Sequence, residues 1–242
     1  MTDRLVEPQP AIPMVPLRRL NIRDDVYVLL RSGILNHNYP PGRRLDLEYL
    51  SNQLQVSRTP VKEALHRLES EGLVQILPRR GTFVTALDPV TISESYDVRI
   101  ALEQFVAGAA AQNATPADVQ ALRDIQRQMQ TELAAPDFSV AVERYIRLDQ
   151  DFHTLIVGLG KNARLLEVYR TIGGPLQLAR ILNKFDAGDY LAYTEPEHSA
   201  IISAVASRDS KALKRALTQH VEFAKGRVMV RLGRLATKGQ DK

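Results

Sequence analysis

The 242-residue chain contains no cysteine. Disulfides, thiolate metal sites and thiol nucleophiles are therefore excluded, and the absence fits a reducing compartment. No signal peptide is evident, because MTDRLVEPQPAIPMVPL places prolines and acids where such a peptide needs an apolar core. No apolar run approaches the roughly 18 residues of a membrane span. The expectation is a soluble cytoplasmic protein. An HExxH motif, internal repeats and low-complexity segments are also missing. Charge of one sign is scarce too: 32 Lys and Arg against 28 Asp and Glu leave a net +4. That permits a polyanionic partner without requiring one.

What is present divides along the chain. Residues 1–17 carry four prolines and no periodicity, which predicts a disordered arm. Between 18 and 85, apolar positions Val26, Leu29, Leu30 and Ile34 recur at helical spacing, NYPPG interrupts them, and LEYLSNQL forms a second short amphipathic helix. Gln55-Val56-Ser57 links it to a third helix. LVQIL, a Pro78–Gly81 turn and Thr82–Val84 then read as a β-hairpin. Helix, helix, helix, hairpin is the order of a winged helix-turn-helix. Residues 86–91 read as a linker. From 92 to 233 every segment has a helical pattern, with spans expected at 92–113, from Thr115, and at 138–159, 162–182, 194–207 and 210–233. Residues 234–242 are expected to form a flexible tail. The fold class is therefore mainly α: a winged helix-turn-helix with a small β-hairpin wing, followed by an all-α helical bundle.

On the third helix Val61, Ala64, Leu65 and Leu68 share one face, while Thr59, Lys62, Glu63, His66 and Arg67 share the other. Ser57 is a candidate N-cap, and Pro60 is tolerated in the first turn. A helix N-terminus flanked by Ser57, Arg58, Thr59 and Lys62 suits phosphate oxygens, and an arginine there can reach guanine in a major groove. Arg79 and Arg80 at the hairpin tip suit the flanking backbone or minor groove. The competing reading is a solvated charged face, since Glu63, Glu69 and Glu71 are interspersed.

PPGRRL, VSRTPVKEALHRLESEGLV and PRRGTFV resemble the DNA-binding domain of the GntR family of bacterial transcription regulators, over nearly all of residues 21 to 85. The resemblance implies DNA contacts from Ser57, Arg58, Thr59 and Lys62 and places Gly81 at the wing tip. It also has a departure. Leu47 stands where relatives usually carry glutamate, and Glu48 stands where some carry a DNA-contacting arginine. No base-reading role is assigned to Glu48.

Five histidines are present: His37, His66, His153, His198 and His220. Asp149 and His153, four residues apart, project from one helix face and can chelate a metal ion together. Taken singly, each histidine reads more readily as a structural or surface residue than as a ligand. YDVRIALEQFVAGAAA, LDQDFHTLIVGLGKNARLLEVY and the segment from Glu195 to Val221 resemble the FCD ligand-binding domain of the FadR subgroup, over about residues 92 to 232. Many members bind a divalent metal through one Asp and three His. That set maps onto Asp149, His153, His198 and His220 without substitution. The resemblance implies Zn, Ni or Mn there, a small carboxylate metabolite as effector, a homodimer, and Arg99 as an effector contact. Arg99 could instead pair with Asp97 or, better placed, Glu103. Asn162 reads as a helix cap.

Three classes follow: a ligand-responsive regulator, in most such members a repressor, on a pseudo-palindromic DNA operator; a metal-dependent hydrolytic enzyme; and a DNA-binding protein without a metal. The first accounts for both halves of the chain, and no enzymatic activity is expected.

Overall fold

The computed structural model describes residues 22–36, 38–182, 188 and 190–240. The expected arm at 1–17 and His37 lie outside the described residues.

The N-terminal unit contains α1 (Ile22–Leu35), β1 (Arg44–Leu45), α2 (Leu47–Leu54), α3 (Arg58–Ser70), β2 (Val74–Leu77) and β3 (Gly81–Val84). Asp46 caps α2 by accepting the Tyr49 N–H at 2.8 Å, and left-handed Gln55 ends it. The expected hairpin is present, with Val74 opposite Val84 and Leu77 opposite Gly81. It is joined by a strand the sequence reading missed. Arg44 and Leu45 pair antiparallel with Phe83 and Thr82, giving a three-stranded sheet in the order β1-β3-β2. Two residues are too few to display an alternating pattern. The core is closed by Val26, Leu30 and Ile34 of α1, Leu50 of α2, and Val61, Ala64, Leu65 and Leu68 of α3.

The remainder is helical: α4 (Pro89–Asn113), α5 (Pro116–Leu133), α6 (Phe138–Leu159), α7 (Ala163–Leu182), a π-helical turn (Tyr190–Thr194), α8 (Glu195–Ala206) and α9 (Ser210–Gln240). Helix α4 begins before residue 92 because Asp88 accepts the Thr91 N–H at 2.9 Å and Pro89 fills the first helical position. Thr115 and Asp118 form a reciprocal capping box on α5. Asn162 caps α7, accepting the Leu165 N–H at 3.0 Å. Helix α9 runs past 233 to Gln240, where a tail was expected. The apolar pattern fades there, but no proline interrupts the backbone ladder. The bundle packs around Tyr96, Phe152, Ile156, Ile201, Leu217 and Val221.

The two units meet along α7, at a point the sequence reading passed through as uninterrupted helix. Pro175 lies inside α7 and has no N–H to offer the Thr171 carbonyl. The adjacent Gly174 donates its N–H to the Glu71 carbonyl at the end of α3, at 3.0 Å. A Cβ on Gly174 would lie 2.1 Å from that carbonyl oxygen, and one on Gly72 2.1 Å from the Thr171 oxygen. Gly72 is also left-handed, at φ +73°. Farther along α7, Leu178 is fully buried in the N-terminal core. Arg31 of α1 crosses the same seam, donating to Gln177 at 2.9 Å and standing 3.5 Å from Glu143 and 3.4 Å from Glu71.

Candidate metal centre and nucleic-acid interface

Inside the bundle, α6 supplies Asp149 and His153, α8 supplies His198 and α9 supplies His220, each at most 2% exposed. The helical i,i+4 spacing aims Asp149 and His153 the same way, and the later helices bring their imidazoles to the same point. One donor atom from each residue lies within 4.8 Å of the others. His153 Nε2 faces His220 Nε2 at 3.0 Å, and His198 Nε2 is 3.3 Å from Asp149 Oδ1. Asp149 Oδ1 and both nitrogens of His198 are buried without a hydrogen-bond partner, so the 3.3 Å approach is a charge contact rather than an aligned bond. Buried polar atoms are normally satisfied, and unsatisfied ones converging on a point signal a missing ligand. Three imidazoles and one carboxylate form a donor set suited to Zn²⁺, Ni²⁺ or Mn²⁺.

Each carboxylate around the centre is held by an arginine. Arg180 of α7 donates to Asp149 Oδ2. Arg227 reaches both oxygens of Glu197, at 3.1 and 3.2 Å. Arg99 Nε donates to Glu103 Oε1 at 2.7 Å, and the Tyr169 hydroxyl donates to the same oxygen. Burial alone would raise the Asp149 carboxyl, but Arg180 and the histidines outweigh it and hold the group well below its usual range. The same contest, won by His153 and Arg99, lowers Glu103. Burial pushes His220 down to about 3 despite Glu197, and lowers His153 as well. At neutral pH Asp149 and Glu103 are therefore ionised and the imidazoles of His153 and His220 neutral, the protonation states a metal requires.

A cavity of about 20 Å³ adjoins His220, lined by Tyr96, Arg180, Tyr190, Thr194 and Arg227 among others. That volume holds about one water. The Tyr96 hydroxyl is buried without a partner.

On the N-terminal unit, Ser57, Arg58, Thr59 and Lys62 are all exposed at the start of α3. Ser57 occupies the N-cap position but makes no side-chain cap bond, so its hydroxyl is left for another acceptor. Arg58 pairs with Glu48 of α2 at 3.0 Å, both side chains largely exposed. At the wing, Arg80 N–H donates to the Leu77 carbonyl at 3.0 Å across Pro78 and Arg79, with Arg79 left-handed at φ +62°. Proline second and a left-handed residue third is the arrangement of a type II turn, which usually takes glycine at the third place. An arginine held there projects exposed from the tip beside Arg80. The side chain of Arg44 crosses under Gly81, its Nε 3.2 Å from where a Cβ would sit.

Residues 22–84 match the family model for bacterial regulatory proteins of the gntR family, and residues 94–223 match the FCD domain model. The chain belongs to the GntR family. It is similar to the HTH-type transcriptional regulator YdhC of Bacillus subtilis, 30% identical over 195 residues that span 80% of this chain and 85% of the relative. It is 28% identical to the HTH-type transcriptional repressor RspR of Escherichia coli K12, over 83% of this chain and 86% of that one. Among solved structures, E. coli McbR/YncC shares the fold with a TM-score of 0.72 at 20% identity, covering 88% of this chain and 99% of that one.

This GntR regulator thus carries a DNA-binding helix-turn-helix and an FCD domain whose buried Asp–His₃ cluster can hold a metal. The structure brings Asp149, His153, His198 and His220 together as one constellation. It places Arg99 beside that constellation, paired with Glu103 as the alternative reading had it, with its Nη2 buried and unpartnered. Sequence reasoning missed Arg180, Arg227 and Glu197, and gave Glu103 only as a partner for Arg99. Glu197 stands next to His198 and Glu103 four residues after Arg99, but only the fold shows that they face the ligands. It also missed that Arg44 lies on β1 beside the wing strand β3, although the RR of PPGRRL marks the segment as basic.

Proposed function

We propose that the protein is a cytoplasmic, metabolite-responsive repressor that binds a pseudo-palindromic operator as a homodimer and senses a small carboxylate at a divalent metal in its FCD domain. The observation that carries the sensing half is the pair of Nε2 atoms of His153 and His220 facing each other at 3.0 Å in a buried site. A divalent ion held by Asp149, His153, His198 and His220 gives these two nitrogens and the orphaned Asp149 oxygen a common partner. Bound there, the metal supplies Lewis acidity and open coordination positions.

Charge then supports an anionic effector. Asp149, Glu103 and Glu197 are balanced by Arg180, Arg99 and Arg227. A divalent cation leaves this buried cluster at +2, and a carboxylate entering beside it offsets one of those charges. Arg180 and Arg227 border the adjoining cavity and offer guanidinium forks, Tyr96 offers an unpaired hydroxyl, and Arg99 retains one free donor. The cavity is too small for an organic acid, so effector binding must open it. Arg180 belongs to α7, the helix that also touches the DNA-binding unit through Gly174 and Leu178. An effector that moves Arg180 therefore favours one domain arrangement over another, which is what a change in DNA affinity requires.

DNA binding rests on Ser57, Arg58, Thr59 and Lys62 at the α3 N-terminus and on Arg79, Arg80 and Gly81 at the wing. Phosphate contacts from the basic side chains set the position, and Arg58 reads base edges. Dimerisation is supported by exposed apolar side chains on helices α4 and α7, which pack together: Val98 and Phe105, seven residues apart on α4, and Val168 on α7, with Phe105 at 72%. The repressor sign follows RspR, whose name carries it.

The test is the metal content of tag-free protein by elemental mass spectrometry. About one ion per chain supports the reading. No metal, even after incubation with zinc, nickel and manganese, overturns the sensing half and leaves a metal-free DNA-binding regulator.

A further inference from the structure

Behind two of the three imidazoles stands a carboxylate that is not a metal ligand. His220 Nδ1 lies 2.8 Å from Glu197 Oε2, and His153 Nδ1 lies 3.4 Å from Glu103 Oε1. We propose that Glu197 and Glu103 are positioning residues that hold His220 and His153 in the Nδ1–H tautomer and so commit both Nε2 lone pairs to the metal. The proposal rests on the metal reading above, and it assigns work to residues outside the four ligands.

The chemistry of the partners fixes the tautomer. Glu197 is gripped by both guanidinium arms of Arg227, and Glu103 takes donors from Arg99 and Tyr169. Each carboxylate is therefore ionised and can only accept. A neutral imidazole facing an acceptor with Nδ1 carries its proton there, which leaves a lone pair on Nε2. The His153 contact is longer and not aligned as a hydrogen bond, but it sets a carboxylate oxygen 3.4 Å from that nitrogen. With both tautomers set this way, two lone pairs confront each other at 3.0 Å. That arrangement is repulsive when empty and favourable when a cation joins it. The rings are already stacked for it, 4.7 Å apart and inclined by 22°.

His198 provides the contrast. Neither of its nitrogens has a hydrogen-bond partner, and its ring is held by packing on Phe152 at 4.6 Å. The protein thus preorders His220 by a hydrogen bond and His153 by the close approach of a carboxylate, and leaves the third imidazole to be ordered by the metal itself. Carboxylate partners of this kind typically govern metal affinity by a factor of about 10–100.

The test uses the full-length protein, with zinc alone as the probe. Long-range ¹H–¹⁵N spectra of the metal-free wild type read each histidine tautomer directly. Nδ1–H on His153 and His220 is expected; Nε2–H on either overturns the proposal for that residue. Zinc affinity is then measured by competition with a chromophoric chelator for the wild type, Glu197→Gln and Glu103→Gln. In Glu197→Gln the Arg227 fork claims the amide oxygen and turns the NH₂ toward His220, favouring the opposite tautomer. Zinc affinity should fall about 10–100-fold with stoichiometry unchanged. Wild-type affinity in Glu197→Gln overturns the proposal. Glu103→Gln strands the buried Arg99 and can unfold the bundle, so for His153 the wild-type tautomer spectrum decides. If the wild type binds no zinc, the metal reading fails on its own, while the spectra still decide the tautomers.

Discussion

The seam between the two domains makes opposite forecasts for the same substitution at two glycines. In Gly174→Ala the new methyl would sit 2.1 Å from the Glu71 carbonyl oxygen and 2.9 Å from backbone atoms of Gly72 and Leu73. These are backbone atoms, so no side chain can swing away and α7 must shift. Overpacking of this kind costs about 1–3 kcal/mol. Losing the Gly174–Glu71 hydrogen bond adds about 0.5–1.5 kcal/mol. Alanine returns about 1 kcal/mol of helix propensity. The net destabilisation is about 0.5–3.5 kcal/mol, a melting-temperature drop of about 1–14 °C for a protein of this size. Gly226 of α9 has nothing within 4 Å of its would-be methyl, so Gly226→Ala should gain about 1 kcal/mol from propensity alone. Thermal denaturation of both variants beside the wild type is the assay. A Gly174→Ala protein melting at or above the wild type would refute the backbone-to-backbone seam.

Arg58→Ala should abolish operator binding in a gel-shift titration while leaving the melting temperature within about 1 °C, because Arg58 is exposed and its pair with Glu48 is a surface ion pair. Normal affinity would remove α3 from the interface. Wild-type affinity should drop about 10³–10⁵-fold between 50 and 200 mM salt if six to ten phosphates are contacted, and a flat response would argue against that docking. His198→Ala should lower metal retained after dialysis to well below one ion per chain; unchanged stoichiometry would exclude His198 as a ligand. If the proposed dimer forms through α4 and α7, Phe105→Glu should convert it to monomer in sedimentation velocity, and an unaltered dimer would place the interface elsewhere.

Much of this molecule was legible in its sequence because the signals were local. The buried face Val61, Ala64, Leu65 and Leu68, the helix start at Thr115 and the Asn162 cap are each read within eight residues of chain. The four candidate ligands came from resemblance, since nothing in spacing connects Asp149 to His220. What escaped was relational. Strand β1 exists only through its pairing with β3. The arginines and carboxylates behind the ligands come from α4, α7, α8 and α9, and their charge balance is visible only when those helices are packed. The Gly173-Gly174-Pro175 run in α7 carried a signal, but its meaning depends on a carbonyl about a hundred residues earlier.

Leu178 has a consequence for how such proteins change over evolutionary time. It lies in α7, yet its side chain is fully buried among Val26, Leu30, Leu65 and their neighbours in the DNA-binding unit. Removing a buried leucine side chain costs about 2–5 kcal/mol. A recombination event that joined this DNA-binding unit to an unrelated sensor between Thr85 and Pro89 would leave that socket unfilled. The heritable module is therefore larger than the stretch that touches DNA: it includes the face of α7 that plugs it, and the two halves must be inherited, or altered, as a matched pair.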